Sequence, residues 1–519
     1  MHLKKAYPVT KKTRIKFIYP AQQFELSENP RPDGSLGILY LASILRDHGY
    51  YVEILDMCVG DESDSLEETF YNRVPFDESH VRVGLPLEKL ESKIRGFDIV
   101  GITSIFTPQT LNCYETARKI KEINPGIITL AGGGNARALY KQFLDNGFDI
   151  VAFGEAEQAM LELADSIEEG KSWKNILNFA YQDNGQYCVN PERAVVQDLD
   201  ELPIPAWDLL PLSKYWKIGE PHGGTFEPGQ EVRYLSMQTS RGCPFSCSYC
   251  HISKENDAGK LRFKSIDRVE KEIDIIKGLG AEYLFFEDDS LLAKPARVKE
   301  IFNRLKGKNL KIIDVNGVNL AHFFKHGDGK DLVVDEELID LMIEVGWVEI
   351  AYPFESGCQR ILDKYASRKW NKARHDVLEL VRISIRKGLK ISGFFTIGYP
   401  DETYEELTET YLFAKELIEA GLSIAAFYII TPYPGSKLYD YAVANGHVPQ
   451  ELDLVNMKFA VPTMKNILIS PDVLRYTRKL VYQLLNSRKH IQVKHSKNIG
   501  TFQSQNDGAR ASKLVEVEP

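Results

Sequence analysis

Three cysteines crowd into one short stretch of this chain. Ser240-Arg241-Gly242-Cys243-Pro244-Phe245-Ser246-Cys247-Ser248-Tyr249-Cys250 carries the pattern C-x3-C-x2-C. With 7 cysteines in 519 residues, chance would produce this spacing in roughly one such chain in a thousand. Structural zinc closes its shell with four protein ligands. A cubane iron–sulfur cluster takes four cysteines, one per iron. The run offers three and no obvious fourth. It therefore suits a cluster with one iron left open for an external ligand. A zinc knuckle completed by His251 is the competing reading.

Other candidate groups follow downstream. Leu284-Phe285-Phe286-Glu287-Asp288-Asp289 ends an apolar run with acids. An ammonium group needs carbonyl or carboxylate acceptors, and a strand end can supply them. Taken alone, Asp288 and Asp289 also read as a helix N-cap and dipole partner. Phe354-Glu355-Ser356-Gly357, Gly393-Phe394-Phe395-Thr396-Ile397-Gly398-Tyr399-Pro400 and Thr431-Pro432-Tyr433-Pro434-Gly435-Ser436 come next. Singly, Glu355 reads as a solvated turn residue, and Pro432 and Pro434 as turn chemistry. Upstream, Thr103, Ser104 and Thr107 could hydrogen-bond a large polar ligand. Gly132, Gly133, Gly134 and Gly154, with Glu155 beside them, would let backbone approach it. That glycine run also fits a generic domain that binds something else or nothing.

These residues need elements to hold them. Residues 14–19 form a strand, followed by a helix with Leu36, Leu39, Tyr40, Ala42 and Leu45 at helical spacing and Gly49 as its C-cap. Strands at 51–55, 99–102, 127–130 and 149–153 alternate with helices at 111–123 and 136–146. Such alternation implies a parallel sheet with helices on both faces and ligands at the strand carboxyl ends. Residues 175–235 are proline-rich and read as a connector with a few short strands. From 235 the pattern restarts, with strands at 235–239, 282–286, 311–315, 347–351, 390–396 and 423–430. Helices are expected at 266–278, 295–305, 335–345, 371–387 and 402–419. That makes roughly six βα units, enough for a partial barrel. The expected fold class is α/β. A doubly wound, Rossmann-like domain occupies 1–170, a linker 171–232, a (β/α)6 partial TIM barrel 233–440, and a helical region 441–493. The polar, unpatterned residues 494–519 are expected to be a disordered tail.

Composition narrows the function classes. Lys+Arg 64 against Asp+Glu 73 gives a net charge of −9, which argues against a nucleic-acid-binding chain. No run of about 20 apolar residues occurs, so no membrane-spanning helix and no membrane partner is expected. The basic N-terminus lacks an apolar stretch and reads as no signal peptide. The few cysteines make no disulfide framework, so a reducing, cytoplasmic setting is expected.

Together, the order and spacing of the five segments over about 235–445 resemble the radical S-adenosylmethionine (SAM) family. The resemblance implies that Cys243, Cys247 and Cys250 bind a 4Fe-4S cluster whose open iron chelates the amino and carboxylate groups of SAM. The reduced cluster would cleave the S–C5′ bond to give a 5′-deoxyadenosyl radical. Tyr249 would lie near adenine, and Asp288 and Asp289 near the SAM amino group. Glu355 would meet the ribose hydroxyls, and Pro432 would sit in a turn resembling the family's "TPYPGT". The first 165 residues resemble the cobalamin-binding domain fused to class B radical SAM methyltransferases. The matching segments are Gly34–Ala42, Val52–Asp56, Val100–Ser104, Ala131–Gly134 and Val151–Glu157, the last similar to "GEGE" with Ala156 replacing a glycine. Thr103, Ser104, Gly132, Gly133, Gly134, Gly154 and Glu155 would line the cobalamin site.

Departures from the family's pattern refine the expectation. The D-x-H-x-x-G motif is absent, and before residue 150 only His2, His48 and His80 occur. The resemblance then implies a cobalt lower face without protein histidine, which eases reduction to cob(I) and suits methyl transfer. Only Cys58 and Cys113 precede residue 165, and no cysteine follows Cys358. Methylthiotransferase and auxiliary-cluster relatives are thereby excluded, and Cys358 reads as a small packed residue. The implied activity is cobalamin-dependent methylation of an unactivated carbon of a small molecule, as in natural-product and antibiotic pathways. The loop Arg31–Gly37 faintly resembles that of phosphonate C-methylases. A flavodoxin- or ferredoxin-like donor would supply electrons. The alternative is a cobalamin-dependent radical SAM cyclase or ring-rearrangement enzyme. A third reading, a non-catalytic iron–sulfur or zinc protein, fits the full set of segments poorly.

Overall fold

The computed structural model describes residues 7–486 apart from 27, 33, 228, 253–258, 328–330, 450 and 466. The expected tail at 494–519 lies outside the described residues.

The first sheet is built on β1 (Arg14–Tyr19), β2 (Tyr51–Asp56), β3 (Ile99–Thr103), β4 (Ile128–Gly132) and β5 (Ile150–Ala152), all parallel. Their spatial order is β2-β1-β3-β4-β5, the doubly wound arrangement whose ligands lie beyond the strand carboxyl ends. The sequence of β1 explains its place at the centre. Ile15, Phe17 and Tyr19 enter one apolar cluster and Ile18 the other, so both faces are covered. The helix Leu36–Asp47 packs on this sheet and ends as expected, with Gly49 at φ +85 just beyond it.

Residues 171–232 do more than connect. β6 (Phe179–Asp183) and β7 (Gln186–Val189) form an antiparallel hairpin that extends the first sheet beside β5. Trp207, fully buried, donates from Nε1 to Ser236 O at 3.1 Å. It joins the apolar cluster of the first sheet to Leu235 and Met237 of the second.

The second sheet has six parallel strands in sequence order: β8 (Tyr234–Met237), β11 (Tyr283–Phe286), β12 (Lys311–Asp314), β13 (Trp347–Glu355), β14 (Lys390–Ile397) and β15 (Ile424–Ile429). Between β8 and β11 lies a two-stranded ladder of β9 (Ser240–Arg241) and β10 (Arg262–Phe263). Leu284 and Phe286 point to the helices outside, while Tyr283 and Phe285 point inward against Phe226 of the connector. Further round, inward-facing Phe394, Thr396, Ala426 and Tyr428 are only half-buried.

Several elements differ from the sequence reading. The helix expected at 136–146 is two short helices, Gly134–Ala138 and Tyr140–Asp145, because Leu139 leaves helical geometry and enters the core. The strand expected to stop at 351 runs on to Glu355. A helix at Gln359–Tyr365 carried no sequence expectation. The helix expected from 371 starts at Val377, where Asp376 caps it by accepting from Glu379 N. In the C-terminal region two helices, Lys437–Ala444 and Pro471–Leu485, flank irregular chain. Among the described residues no helix is long and apolar enough to cross a membrane.

Candidate functional site

The cysteine loop begins at Gly242, directly after β9. Its φ is +92, and an added Cβ would lie 2.3 Å from Lys260 O, so no side chain fits there. Main-chain bonds then fix the loop independently of the thiols. Cys243 N donates to Gly259 O at 3.2 Å, Ser248 N to Tyr365 O at 2.9 Å, and Leu438 N to Ser248 O at 2.8 Å. Ser246 N donates to Ser367 Oγ at 2.9 Å.

Cys247 is buried, and Cys243 and Cys250 are half-buried. The three thiols lie within electrostatic reach of one another. Burial raises the pKa of each, that of Cys247 to about 11, and the Lys369 ammonium acts in the opposite direction on all three. Among the described residues no group of three His, Cys, Asp or Glu converges on a single metal ion. Three cysteine thiols suit a cluster, in which each binds a separate iron, better than the four-ligand shell of structural zinc. His251 does not complete a zinc site. Its ring hydrogen-bonds the main chain at Pro434 and Tyr433 and lies against Gly134, where an added Cβ would be 3.1 Å from Nδ1.

Lys369 is the residue the sequence reading missed. After the helix Gln359–Tyr365, Ser367 and Arg368 take φ of +55 and +54, a left-handed conformation unusual for residues with a side chain. This turn presents Ser367 Oγ to the cysteine loop and brings Lys369 back beneath it. Lys369 Nζ lies 2.8 Å from Glu355 Oε1. Burial acts against its charge, but Glu355 and the nearby thiols together hold its pKa above the ordinary range. Glu355 itself has φ +64, and its other oxygen accepts from Thr396 Oγ1 at 2.9 Å. Tyr249 completes the group. Its ring lies 6.3 Å from that of Tyr399, which stacks on Tyr365 at 4.5 Å. Nothing in the residues 366–370 marks Lys369 as special; only the double left-handed turn places it.

The acids after β11 divide. Asp288 is buried, and its carboxylate accepts from Thr239 N, Thr239 Oγ1 and Ser240 Oγ. It ties β8 to the loop. Asp289 Oδ2 accepts from Gly242 N at 2.8 Å at the mouth of the cysteine loop, and Asp289 stays half-buried. Burial raises both their pKa values. Pro432 is buried in the turn that meets His251, and Ser436 ends that turn by capping the next helix.

At the carboxyl edge of the first sheet, Gly133 has φ +103, and a Cβ there would meet Ser104 O at 2.5 Å. A Cβ on Gly132 would meet nothing within 4 Å, so open space faces that strand end. Gly154 is also left-handed, at φ +61. Thr103 ends β3 and is half-buried. Ser104 is engaged within the protein. Its N–H donates to Gly132 O at 2.7 Å, and its hydroxyl accepts from Asn135 Nδ2 at 2.8 Å. Glu155 departs most from expectation. Arg262 donates to both of its oxygens at 2.7 and 2.9 Å, and Arg241 lies 3.2 Å from Oε1. Glu155, the residue expected at the corrin, thus makes ion pairs between the two halves of the molecule. The sequence held no signal for them, because Arg262 becomes Arg241's neighbour only through the β9–β10 ladder.

A doubly wound domain with an open glycine edge, set against a six-stranded parallel sheet with a three-cysteine loop, defines the class. Residues 34–164 match the B12 binding domain family, and residues 237–414 match the Radical SAM superfamily. An uncharacterized methyltransferase of Pyrococcus horikoshii is 31% identical over 79% of this chain and 78% of its own length. The chain belongs to the cobalamin-dependent radical SAM methyltransferase family. The cytidylyl-2-hydroxyethylphosphonate methyltransferase of Streptomyces wedmorensis is 28% identical over 86% of this chain and 84% of its own. Among solved structures, the cobalamin-dependent SAM radical enzyme OxsB shares the fold with a TM-score of 0.65. It is 16% identical, and the match covers 94% of this chain and 72% of that one.

Proposed function

We propose that this chain methylates an unactivated carbon of a small-molecule substrate. In this reading Cys243, Cys247 and Cys250 ligate a 4Fe-4S cluster within residues 233–440, and residues 1–170 hold cobalamin. The supporting observation is the juxtaposition of a pinned three-thiol loop with the open glycine edge of the first sheet. Bound there, the cluster and the corrin would supply one-electron cleavage of SAM and methyl carriage.

The chain's own groups fit SAM. The Lys369 ammonium beside the thiols would attract a carboxylate, and the half-engaged carboxylate of Asp289 would accept from an ammonium. Tyr249 offers a flat face next to Glu355 for a nucleoside. Thr103, Gly132, Gly133, Gly134 and Gly154 form the corrin edge. Ser104 and Glu155 would support it from behind, while Asp288 would support the cysteine loop through Thr239 and Ser240. In this reading the chain sits in a reducing cytoplasm, with an external flavodoxin- or ferredoxin-like donor supplying electrons.

For the substrate, we favour an anionic small molecule of the phosphonate type. Arg31 influences both Tyr234 and Tyr428, at the inner wall of the second sheet. It lies in the very loop that resembles those of phosphonate methylases, and the Streptomyces relative is named for such a substrate. The test is a panel of phosphonates, cytidylylated and free, against neutral acceptors, with deuterated-methyl SAM and cobalamin under anaerobic conditions. Labelled product from phosphonates, with Arg31→Ala raising KM several-fold at little change in kcat, is expected. Label appearing only in neutral acceptors would overturn the substrate assignment.

A further inference from the structure

The two ends of the cysteine loop meet the first sheet at two neighbouring strand ends. β4 and β5 pair side by side, Leu130 with Ile150 and Ala131 with Val151. Just before the loop, Arg241 donates from Nη2 to Glu157 Oε1 at 2.8 Å and lies 3.2 Å from Glu155 Oε1. Glu155 lies in the short turn after β5, and Glu157 opens the helix Glu157–Glu168 that follows it. The pairing is shielded: side-chain exposures are 14% for Arg241, 16% for Glu155 and 7% for Glu157. Arg262, cross-strand partner of Arg241, donates to both oxygens of Glu155 and to Val196 O at 2.6 Å, and Val196 N donates to Glu155 Oε2 at 3.3 Å. Just after the loop, His251 rests against Gly134, which opens the short helix after β4, and its Nε2 faces Gly435 on the other side. The cysteine loop is thus clasped at both ends by the strand ends that carry the open glycine edge.

We infer that Arg241 and His251 are positioning residues that link occupancy of the three-cysteine site to binding of the corrin. A loop drawn around a cluster must hold its two ends at one fixed separation. One end is ion-paired to the segment that follows β5, and the other packs against Gly134 in the segment that follows β4. Ordering one therefore orders the other, and the linkage is reciprocal. Shielded, forked guanidinium–carboxylate contacts transmit such a constraint better than exposed pairs. This inference rests on the cluster and cobalamin assignments made above.

The test is an anaerobic absorbance titration of the full chain with hydroxocobalamin, before and after cluster reconstitution. The wild type should bind at least about fivefold more tightly once the cluster is present. Cobalamin should slow chelator stripping of iron in turn. In Glu157→Gln and, separately, His251→Ala, the affinity ratio should fall toward one. Each variant's cluster-free form is its own reference, so a change in stability alone does not mimic the result. Equal affinities with and without the cluster in the wild type would overturn the linkage. So would an undiminished ratio in both variants. Failure of the wild type to take up iron or cobalamin at all would instead overturn the underlying assignment, and the linkage with it.

Discussion

Lys369 and Glu355 form a shielded pair, with side-chain exposures of 18% and 8%. Removing one partner leaves the other charged without compensation. Lys369→Met should therefore destabilise the cluster-free protein by about 3–5 kcal/mol, and the double variant Glu355→Gln/Lys369→Met should recover much of that. Urea unfolding measures both. The cysteines behave oppositely. The loop is held by main-chain bonds at residues 243, 246 and 248 rather than by sulfur. Single Cys243→Ala, Cys247→Ala or Cys250→Ala changes should abolish iron retention and SAM cleavage yet shift stability by no more than about 1 kcal/mol. Iron content, 5′-deoxyadenosine and unfolding midpoints test this together. At this scale the sequence was readable where chemistry demands rare residues at fixed spacing. It was silent where a common lysine becomes special through a backbone turn.

At the scale of elements, the two strand-end glycines separate folding from binding. Gly133→Ala would force a Cβ within 2.5 Å of Ser104 O at a left-handed position. It should cost about 2 kcal/mol or more in stability. Gly132→Ala meets no neighbour within 4 Å. It should fold normally and bind cobalamin several-fold more weakly. Thermal melts and absorbance titrations distinguish the pair. Another element carries its own pH dependence. Glu402 accepts from Gly398 N and Tyr399 N, and burial pushes its pKa up to about 8. The folded state thus holds a proton that the unfolded chain releases near the ordinary carboxylate value. Stability from this group is present in acid and falls as pH rises toward 8. Glu402→Gln should gain on the wild type by a few kcal/mol between pH 5 and 9. An unchanged difference across that range would contradict the assignment. Strand and helix positions were legible because apolar periodicity writes them directly. The end of β13 at Glu355 and the helix Gln359–Tyr365 were not, since Pro353 and the Ser356–Gly357 turn interrupt the pattern.

For the whole molecule, the alternation of strands and helices announced two α/β units, and the cysteine spacing announced the family. How the units join was hidden. The join depends on one apolar core that Trp207 shares with both sheets, on the hairpin Phe179–Val189 extending the first sheet, and on Arg241 and Arg262 gripping Glu155. None of these has local periodicity. Glu155 therefore read only as a ligand contact, with no sign of its place in the seam. The central claim is that the thiol loop and the glycine edge serve one two-cofactor methyl transfer. Its most direct test uses anaerobic protein with a reconstituted cluster, SAM and a strong reductant, with and without hydroxocobalamin. The quantities measured are 5′-deoxyadenosine and S-adenosylhomocysteine. The account predicts both products, with S-adenosylhomocysteine dependent on cobalamin. Deoxyadenosine alone, with or without cobalamin, would contradict methyl transfer and point to cyclase or rearrangement chemistry.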